Sequence, residues 1–201
     1  VYKRQGSISR VLDSSQPDEL YNLAAQSHVR ISFDVPADTA QTNAIGPLGI
    51  LETLRSAPKK FKYYQASSSE MFGDSVDEDG FQRETTPMHP VSPYGCAKLY
   101  AYHITRNYRK SFSLFAANGI LFNHESPRRG SNFVTSKIVK TAVEIKLGLK
   151  QELLLGNLDS FRDWGHSRDY VRAMHAILQS SVADDFVAVS YTHLTLPTNR
   201  E

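Results

Sequence analysis

Apolar positions along this 201-residue chain fall in two periods that take turns. Pro36–Ser56 carries Ala40, Ala44, Leu48, Leu51 and Leu54 at the spacing that gathers side chains on one helix face. Ser92–Tyr108, Phe133–Gly148 and Asp169–Ser181 also read as helices, the second ending at a glycine, where helices often stop. Ser7–Ser15 is a short amphipathic helix closed off by Gln16-Pro17. Between them lie short runs that predict strands: Glu19–Ala25, the aromatic-rich Phe61–Ser67, Ser113–Phe122, the brief Leu153–Leu155, and a start at Phe186–Ala188. Met71–Pro90 is polar and acidic and reads as a surface loop. Strands alternating with helices at this spacing predict an α/β fold, a doubly wound parallel sheet with helices on both faces.

Composition narrows the setting. The chain is 40% hydrophobic, enough for one domain with a real core. The termini read as foreign. Val1–Gln5 matches a translation of GTG-TAT-AAG-AGA-CAG, a transposase adapter end used in sequencing libraries. Val189–Thr198 matches a translation of the reverse strand continued into the same adapter. Residues 1–5 and 189–201 are therefore expected to be adapter-derived, leaving 6–188 as the natural segment. Setting aside Lys3, Arg4, Arg200 and Glu201 balances the 23 basic against the 21 acidic residues. A neutral chain with interspersed charges argues against nucleic acid and against an acidic membrane surface as partners. One cysteine, Cys96, precludes an internal disulfide and fits a reducing cytoplasm. No apolar run is long enough to span a bilayer, and the N-terminus lacks a signal peptide's apolar segment.

Candidate chemistry centres on Tyr94-Gly95-Cys96-Ala97-Lys98. Tyr and Lys at i and i+4 share a helix face, and an ammonium beside a phenol favours the phenolate, as a general base requires. In isolation the pair reads as a surface helix bearing an aromatic and a charge. Upstream, Ser67-Ser68-Ser69-Glu70 follows a predicted strand, and strand C-terminal ends of open parallel sheets are where ligands bind. A serine there can hydrogen-bond a substrate alcohol, and a carboxylate two residues on can exchange a proton. The same residues read equally as a helix-capping cluster with a solvated Glu70. Leu23–His28 has small residues that let a cofactor approach the backbone, or that simply pack a strand end. Asn123–Gly130 sets an amide and two guanidiniums beyond the third strand, suited to phosphates or to solvent. Arg162–His166 precedes a helix and reads otherwise as a packed Trp beside a surface ion pair. The seven histidines show no metal-ligand spacing.

Together these stretches resemble the GDP-mannose 4,6-dehydratase family of extended short-chain dehydrogenases, over about Ser7 to Ala188. The resemblance is carried by Pro17–Val29 (Pro-Asp-Glu-Leu-Tyr-Asn-Leu-Ala-Ala-Gln-Ser-His-Val) and Tyr64–Gly73 (Tyr-Gln-Ala-Ser-Ser-Ser-Glu-Met-Phe-Gly). It continues through Ser92–Tyr102, Asn118–Gly130 and Arg162–His166. It implies a Rossmann-like sheet, an NADP cofactor, GDP-mannose as substrate, and a cytoplasmic homo-oligomer, dimer or tetramer. It also implies a redox-neutral loss of water. In that scheme Tyr94 takes the sugar O4 proton, Lys98 holds the nicotinamide ribose, Glu70 removes the C5 proton and helps water leave C6, and Ser68 hydrogen-bonds near O4. Leu23, Ala24, Ala25, Gln26, Ser27, His124 and Arg129 match cofactor-binding positions, with Tyr94 and Lys98. Asn123, Lys137 and Arg162 fall at substrate positions.

The chain departs from the family in three places. Ser68 replaces a usual threonine, Asp38 stands where a cofactor-touching tyrosine is common, and the acidic loop at Asp74–Phe81 is slightly longer. The glycine-rich turn of the first strand and helix is not in the chain, nor is much of the C-terminal substrate lobe. The chain is thus expected to be an internal fragment, inactive and binding NADP weakly or not at all. Tight NADP binding in calorimetry would contradict that. Rival readings are a sugar-nucleotide epimerase or reductase of the same superfamily, and a non-catalytic binding protein on a Rossmann fold.

Overall fold

The computed structural model describes residues 2–156, 158 and 162–189, and only the backbone of 2–5. In chain order the elements are α1 (Tyr2–Ser15), β1 (Glu19–Asn22), α2 (Val29–Asp34), α3 (Pro36–Ala40), a π-helical turn at Gln41–Ile45, α4 (Gly46–Ser56) and β2 (Lys62–Ser68). A 3-10 turn at Ser69–Met71 follows, then α5 (Pro93–Phe112), β3 (Phe115–Leu121), β4 (Asn123–Glu125), α6 (Val134–Lys146), β5 (Trp164–His166), α7 (Ser167–Gln179) and β6 (Asp185–Ala188). They divide into a unit of residues up to Leu121 with Arg172–Ala188, and a second unit of Phe122–Val171.

The first unit is built on a parallel sheet in the order β1-β2-β3-β6. Alternation along β2 and β3 assigns the two faces. Tyr63 and Ala116 look toward Leu51 and Leu54 of α4, Tyr108 of α5 and Leu12 of α1, which close into one core cluster. Each fully buried leucine there contributes about 1.5–3 kcal/mol. The preceding register pair, Lys62 and Phe115, looks the other way, the ammonium 4.9 Å from the Phe115 ring centroid and donating to the Leu178 carbonyl of α7 at 2.6 Å. Helices thus cover both faces, as the alternating pattern predicts.

A close approach holds β2 against β3. The Tyr64 ring lies across Gly119, where a Cβ would stand 2.1 Å from the tyrosine oxygen. At the far edge β6 is fastened by charge. Asp185, almost fully buried, accepts from Asn118 (2.7 Å) and Arg109 (2.9 Å) and pairs with Arg106 at 3.1 Å. Two arginines and an amide on one buried carboxylate supply the partners that burying such a charge demands.

Several expected elements differ. The Glu19–Ala25 strand ends at Asn22, because the next backbone is taken by a side chain: Gln26 N–H donates to Asn43 Oδ1 (2.9 Å) and its carbonyl accepts from Asn43 Nδ2 (2.8 Å). Asn43 reaches it from the π-helical turn that interrupts the single helix expected over Pro36–Ser56. Helix α2, expected as loop, is six residues long and leaves Ile31 and Phe33 exposed, so it carries no apolar face to read. Its cap is visible only in space: His28 Nδ1 accepts from Ile31 N–H at 3.3 Å. The short strand expected at Leu153–Leu155 is not formed. Leu154 is 68% exposed and its carbonyl accepts from the Lys137 ammonium rather than from a neighbouring strand.

In the second unit, Asn123–Glu125, expected as loop, is strand β4, paired in parallel with β5. The His124 ring stacks on Tyr170 with centroids 4.8 Å apart, and Tyr170 is buried with its hydroxyl donating to Asp163 at 3.3 Å. Burial first, and then the Asp163 charge, push the Tyr170 phenol well above its ordinary pKa. Val139, Val143, Leu147 and Leu149 are exposed in and just beyond α6. The expected adapter-derived tail lies outside the described residues beyond Val189, and α1 begins at Tyr2 rather than Ser7.

Candidate active site

The site is assembled where β2 ends and α5 begins. Ser68 closes β2 and turns the chain by accepting from Glu70 N–H at 3.3 Å, opening the 3-10 turn. The serine cluster caps a turn, as one of the two readings expects, and the turn stands at the carboxyl end of a central parallel strand. Ser68 and Glu70 are half-buried.

Helix α5 is started by Ser92, whose Oγ accepts from Gly95 N–H at 3.0 Å, with Pro93 at the first helical position. Gly95 lets the helix come close. A Cβ there would lie 2.7 Å from the Glu70 carbonyl oxygen and 2.9 Å from Pro90 Cβ. Only a glycine allows the turn bearing Tyr94 to rest directly on the Glu70 backbone. Four residues of chemical interest thus gather in a small volume: Ser68, Glu70, Tyr94 and, one helical turn on, Lys98.

Tyr94 is 9% exposed and Lys98 is 4% exposed. The ammonium stands 5.8 Å from the Tyr94 ring centroid and donates to the Ala66 carbonyl of β2 at 2.9 Å. Burial pushes its pKa down to about 8, since the low-dielectric interior disfavours the charged form. An ammonium has three N–H donors, so after Ala66 there remain donors for a polyhydroxyl ligand such as a ribose.

The stretch Leu23–Ser27 runs out beyond β1 at the same end of the sheet, with Leu23 and Ala24 exposed. It is held from beneath by Asn43. The Gln26 side chain ties it down further, donating to Thr39 Oγ1 (3.1 Å) and the His28 carbonyl (3.2 Å) and accepting from His28 N–H (2.6 Å). Asn43 and Thr39, both buried, were not singled out in the sequence. The signal that could have found them is the placement of an amide and a hydroxyl on the inward face of the Pro36–Ser56 pattern. Asp38 is exposed in the first turn of α3.

The remaining predicted residues belong to the second unit. Asn123 and His124 lie on β4, and the His124 Nδ1 is 2.8 Å from the Phe122 carbonyl. If Nδ1 carries the proton, Nε2 is left as an acceptor. Arg129 pairs with Glu125 at 3.2 Å and covers the Phe133 ring at 3.5 Å. Lys137 sits on α6 and Arg162 just ahead of β5, both exposed. The acidic loop is organised from within: Arg83 bridges Asp77 (2.8 Å) and Asp79 (2.6 Å), and its guanidinium holds the Asp79 carboxyl down to about 2.

A family model for GDP-mannose 4,6 dehydratase matches residues 3–199. A GDP-mannose 4,6-dehydratase of Yersinia enterocolitica is 50% identical over 192 residues, 94% of this chain and 51% of that protein. One of Homo sapiens is 52% identical over 182 residues, 90% of this chain and 48% of that protein. The chain spans about half the length of the curated relatives it matches. Among solved structures, RMD from Pseudomonas aeruginosa complexed with NADPH superposes with a TM-score of 0.82 at 26% identity, covering 89% of this chain and 62% of that one. A dTDP-glucose 4,6-dehydratase from Bacillus anthracis in complex with NAD gives 0.81 at 26%, covering 95% and 57%. The sheet is thus the Rossmann-type fold of sugar-nucleotide dehydratases and epimerases, and the chain belongs to the GDP-mannose 4,6-dehydratase family.

Proposed function

We propose that this chain is the catalytic middle of a GDP-mannose 4,6-dehydratase, a hydro-lyase converting GDP-mannose to GDP-4-dehydro-6-deoxy-mannose with NADP. The observation that carries the reading is the packing of the Tyr94 turn onto the Glu70 backbone through Gly95, with Lys98 buried one turn below. A bound nicotinamide would accept a hydride from the sugar and return it within the same cycle. The chain's own residues then have separable tasks. Lys98 stabilises the Tyr94 phenolate, and Tyr94 removes the O4 proton. Ser68 hydrogen-bonds the same oxygen. Glu70 removes the C5 proton, made acidic by the neighbouring ketone, and passes a proton to the departing C6 hydroxyl. Within the first unit, Leu23–Ser27, Tyr94 and Lys98 would hold the cofactor; within the second, His124 and Arg129 match the family's cofactor positions, and Asn123, Lys137 and Arg162 its substrate positions.

The family likeness and the NADPH-bound neighbour support NADP. Cytoplasmic location and assembly into dimers or tetramers are part of the proposal. No helix among the described residues is long and apolar enough to cross a membrane. The proposal also takes residues 1–5 and 189–201 as adapter-derived, on their match to the adapter's translation, and 6–188 as natural, in a longer chain that covers the exposed valines of α6. An epimerase or reductase would share Tyr94 and Lys98 but has no use for a carboxylate at Glu70. Glu70→Gln in the full-length enzyme separates the readings: the dehydratase predicts that water loss falls at least about a hundredfold. Dehydration at the unaltered rate would sink it.

A further inference from the structure

The first turn of α5 accounts for nearly all its own backbone donors. Pro93 has no N–H, Gly95 N–H is taken by Ser92 Oγ at 3.0 Å, and Cys96 N–H by the Ser92 carbonyl at 2.9 Å. The N–H that remains is that of Tyr94, the residue read as the base. It donates to Ser32 Oγ at 3.2 Å, a side chain 62 positions away on α2. Ser32 is 0% exposed, and its hydroxyl is aimed by donating to the Val29 carbonyl at 2.6 Å, so the lone pairs face α5. Helix α2 is the continuation of Leu23–Ser27, with His28 as its cap. Asn43 grips that loop by both backbone groups of Gln26. An unbroken line therefore runs from the candidate cofactor loop through α2 to the backbone of Tyr94.

Resting on the proposed role of Tyr94, we infer that Ser32 is a positioning residue that sets the Tyr94 phenol relative to the Leu23–Ser27 loop. The hydroxyl does what the helix cannot do for itself. Without it the Tyr94 N–H is buried with no acceptor, and the first turn must rotate or lift to find one. Either movement swings the phenol, since Tyr94 lies in that turn. The loop itself, anchored separately by Asn43, stays in place. Loss of Ser32 should therefore impair the reaction without loosening the cofactor.

The test uses the full-length enzyme, with GDP-mannose and its C4-deuterated form. Ser32→Ala is expected to lower kcat about tenfold with KM and the NADP dissociation constant within about twofold of wild type. The deuterium isotope effect on kcat should rise as the step at C4 becomes slower than product release, which a loss of folded protein would not produce. Ser32→Thr, which keeps the hydroxyl, should recover most of the rate. If Ser32→Ala does not fold, Ser32→Cys fills the same space with a weaker acceptor and is held to the same criteria. A kcat within twofold of wild type, or a fall in kcat with an unchanged isotope effect, overturns the inference. Tyr94→Phe in parallel separates the layers. If it turns over normally, the role of Tyr94 is wrong; if it is dead while Ser32→Ala is unimpaired, only the positioning role is wrong.

Discussion

Gly95→Ala is the smallest change that tests how the site is assembled. The added methyl would meet the Glu70 carbonyl oxygen at 2.7 Å, Pro90 Cβ at 2.9 Å and Ser92 Oγ at 3.3 Å. The first two fall short of ordinary contact by more than about 0.5 Å. Neither neighbour yields readily: Glu70 sits in a turn capped by Ser68, and Pro90 is a rigid ring. The strain is relieved by lifting the first turn of α5 away from the end of β2. Overpacking of this kind costs about 1–3 kcal/mol, which in a protein of this size lowers the melting temperature by roughly 3–10 °C. Catalysis is hit harder, because a misplacement approaching 1 Å costs up to about a hundredfold in rate. The assay is kcat for dehydration at saturating NADP beside a thermal melt. Cys96→Ala, one residue on and exposed, is the control and should be silent. A Gly95→Ala enzyme with kcat within twofold of wild type and an unshifted melt would refute the idea that this close approach builds the site.

Two further outcomes follow from the same packing. The Lys98 ammonium has its folded pKa lowered to about 8 from 10.5, so between those values the unfolded chain binds more protons and stability rises with pH. Relative to Lys98→Met, denaturant midpoints from pH 7.5 to 10.5 should show a gain of at most roughly 3 kcal/mol, and a flat difference would contradict the burial of a charged lysine. Gly119→Ala would drive a methyl into the Tyr64 oxygen at 2.1 Å, in a tyrosine with no exposed surface. It should destabilise the sheet by about 2–3 kcal/mol in urea melts, and a loss under 0.5 kcal/mol would show that Tyr64 moves freely aside.

Much of this architecture was legible because burial imposes period. Leu51 and Leu54 on α4, and Tyr63 and Ala116 on β2 and β3, face the same core, so their spacing reports their elements. The four candidate site residues were legible because Tyr94 and Lys98 obey helix spacing and Ser68 and Glu70 follow a readable strand. What escaped depends on contacts remote in sequence. Helix α2 has no apolar stripe, and its one buried side chain, Ser32, is explained only by the bond it accepts from Tyr94 N–H, 62 positions away. The early end of β1 follows from a side chain 17 residues away that replaces a strand partner. Leu153–Leu155 has the composition of a strand, but its backbone finds a lysine instead of a ladder. β4 and β5 are three residues each and exist only as a pair, which no local pattern announces.

The central claim is most directly tested by incubating the full-length enzyme with GDP-mannose and NADP and following the sugar nucleotide by mass spectrometry. The account predicts a product lighter by one water with no net NADPH formed. An unchanged mass with inverted stereochemistry at C4 would contradict it.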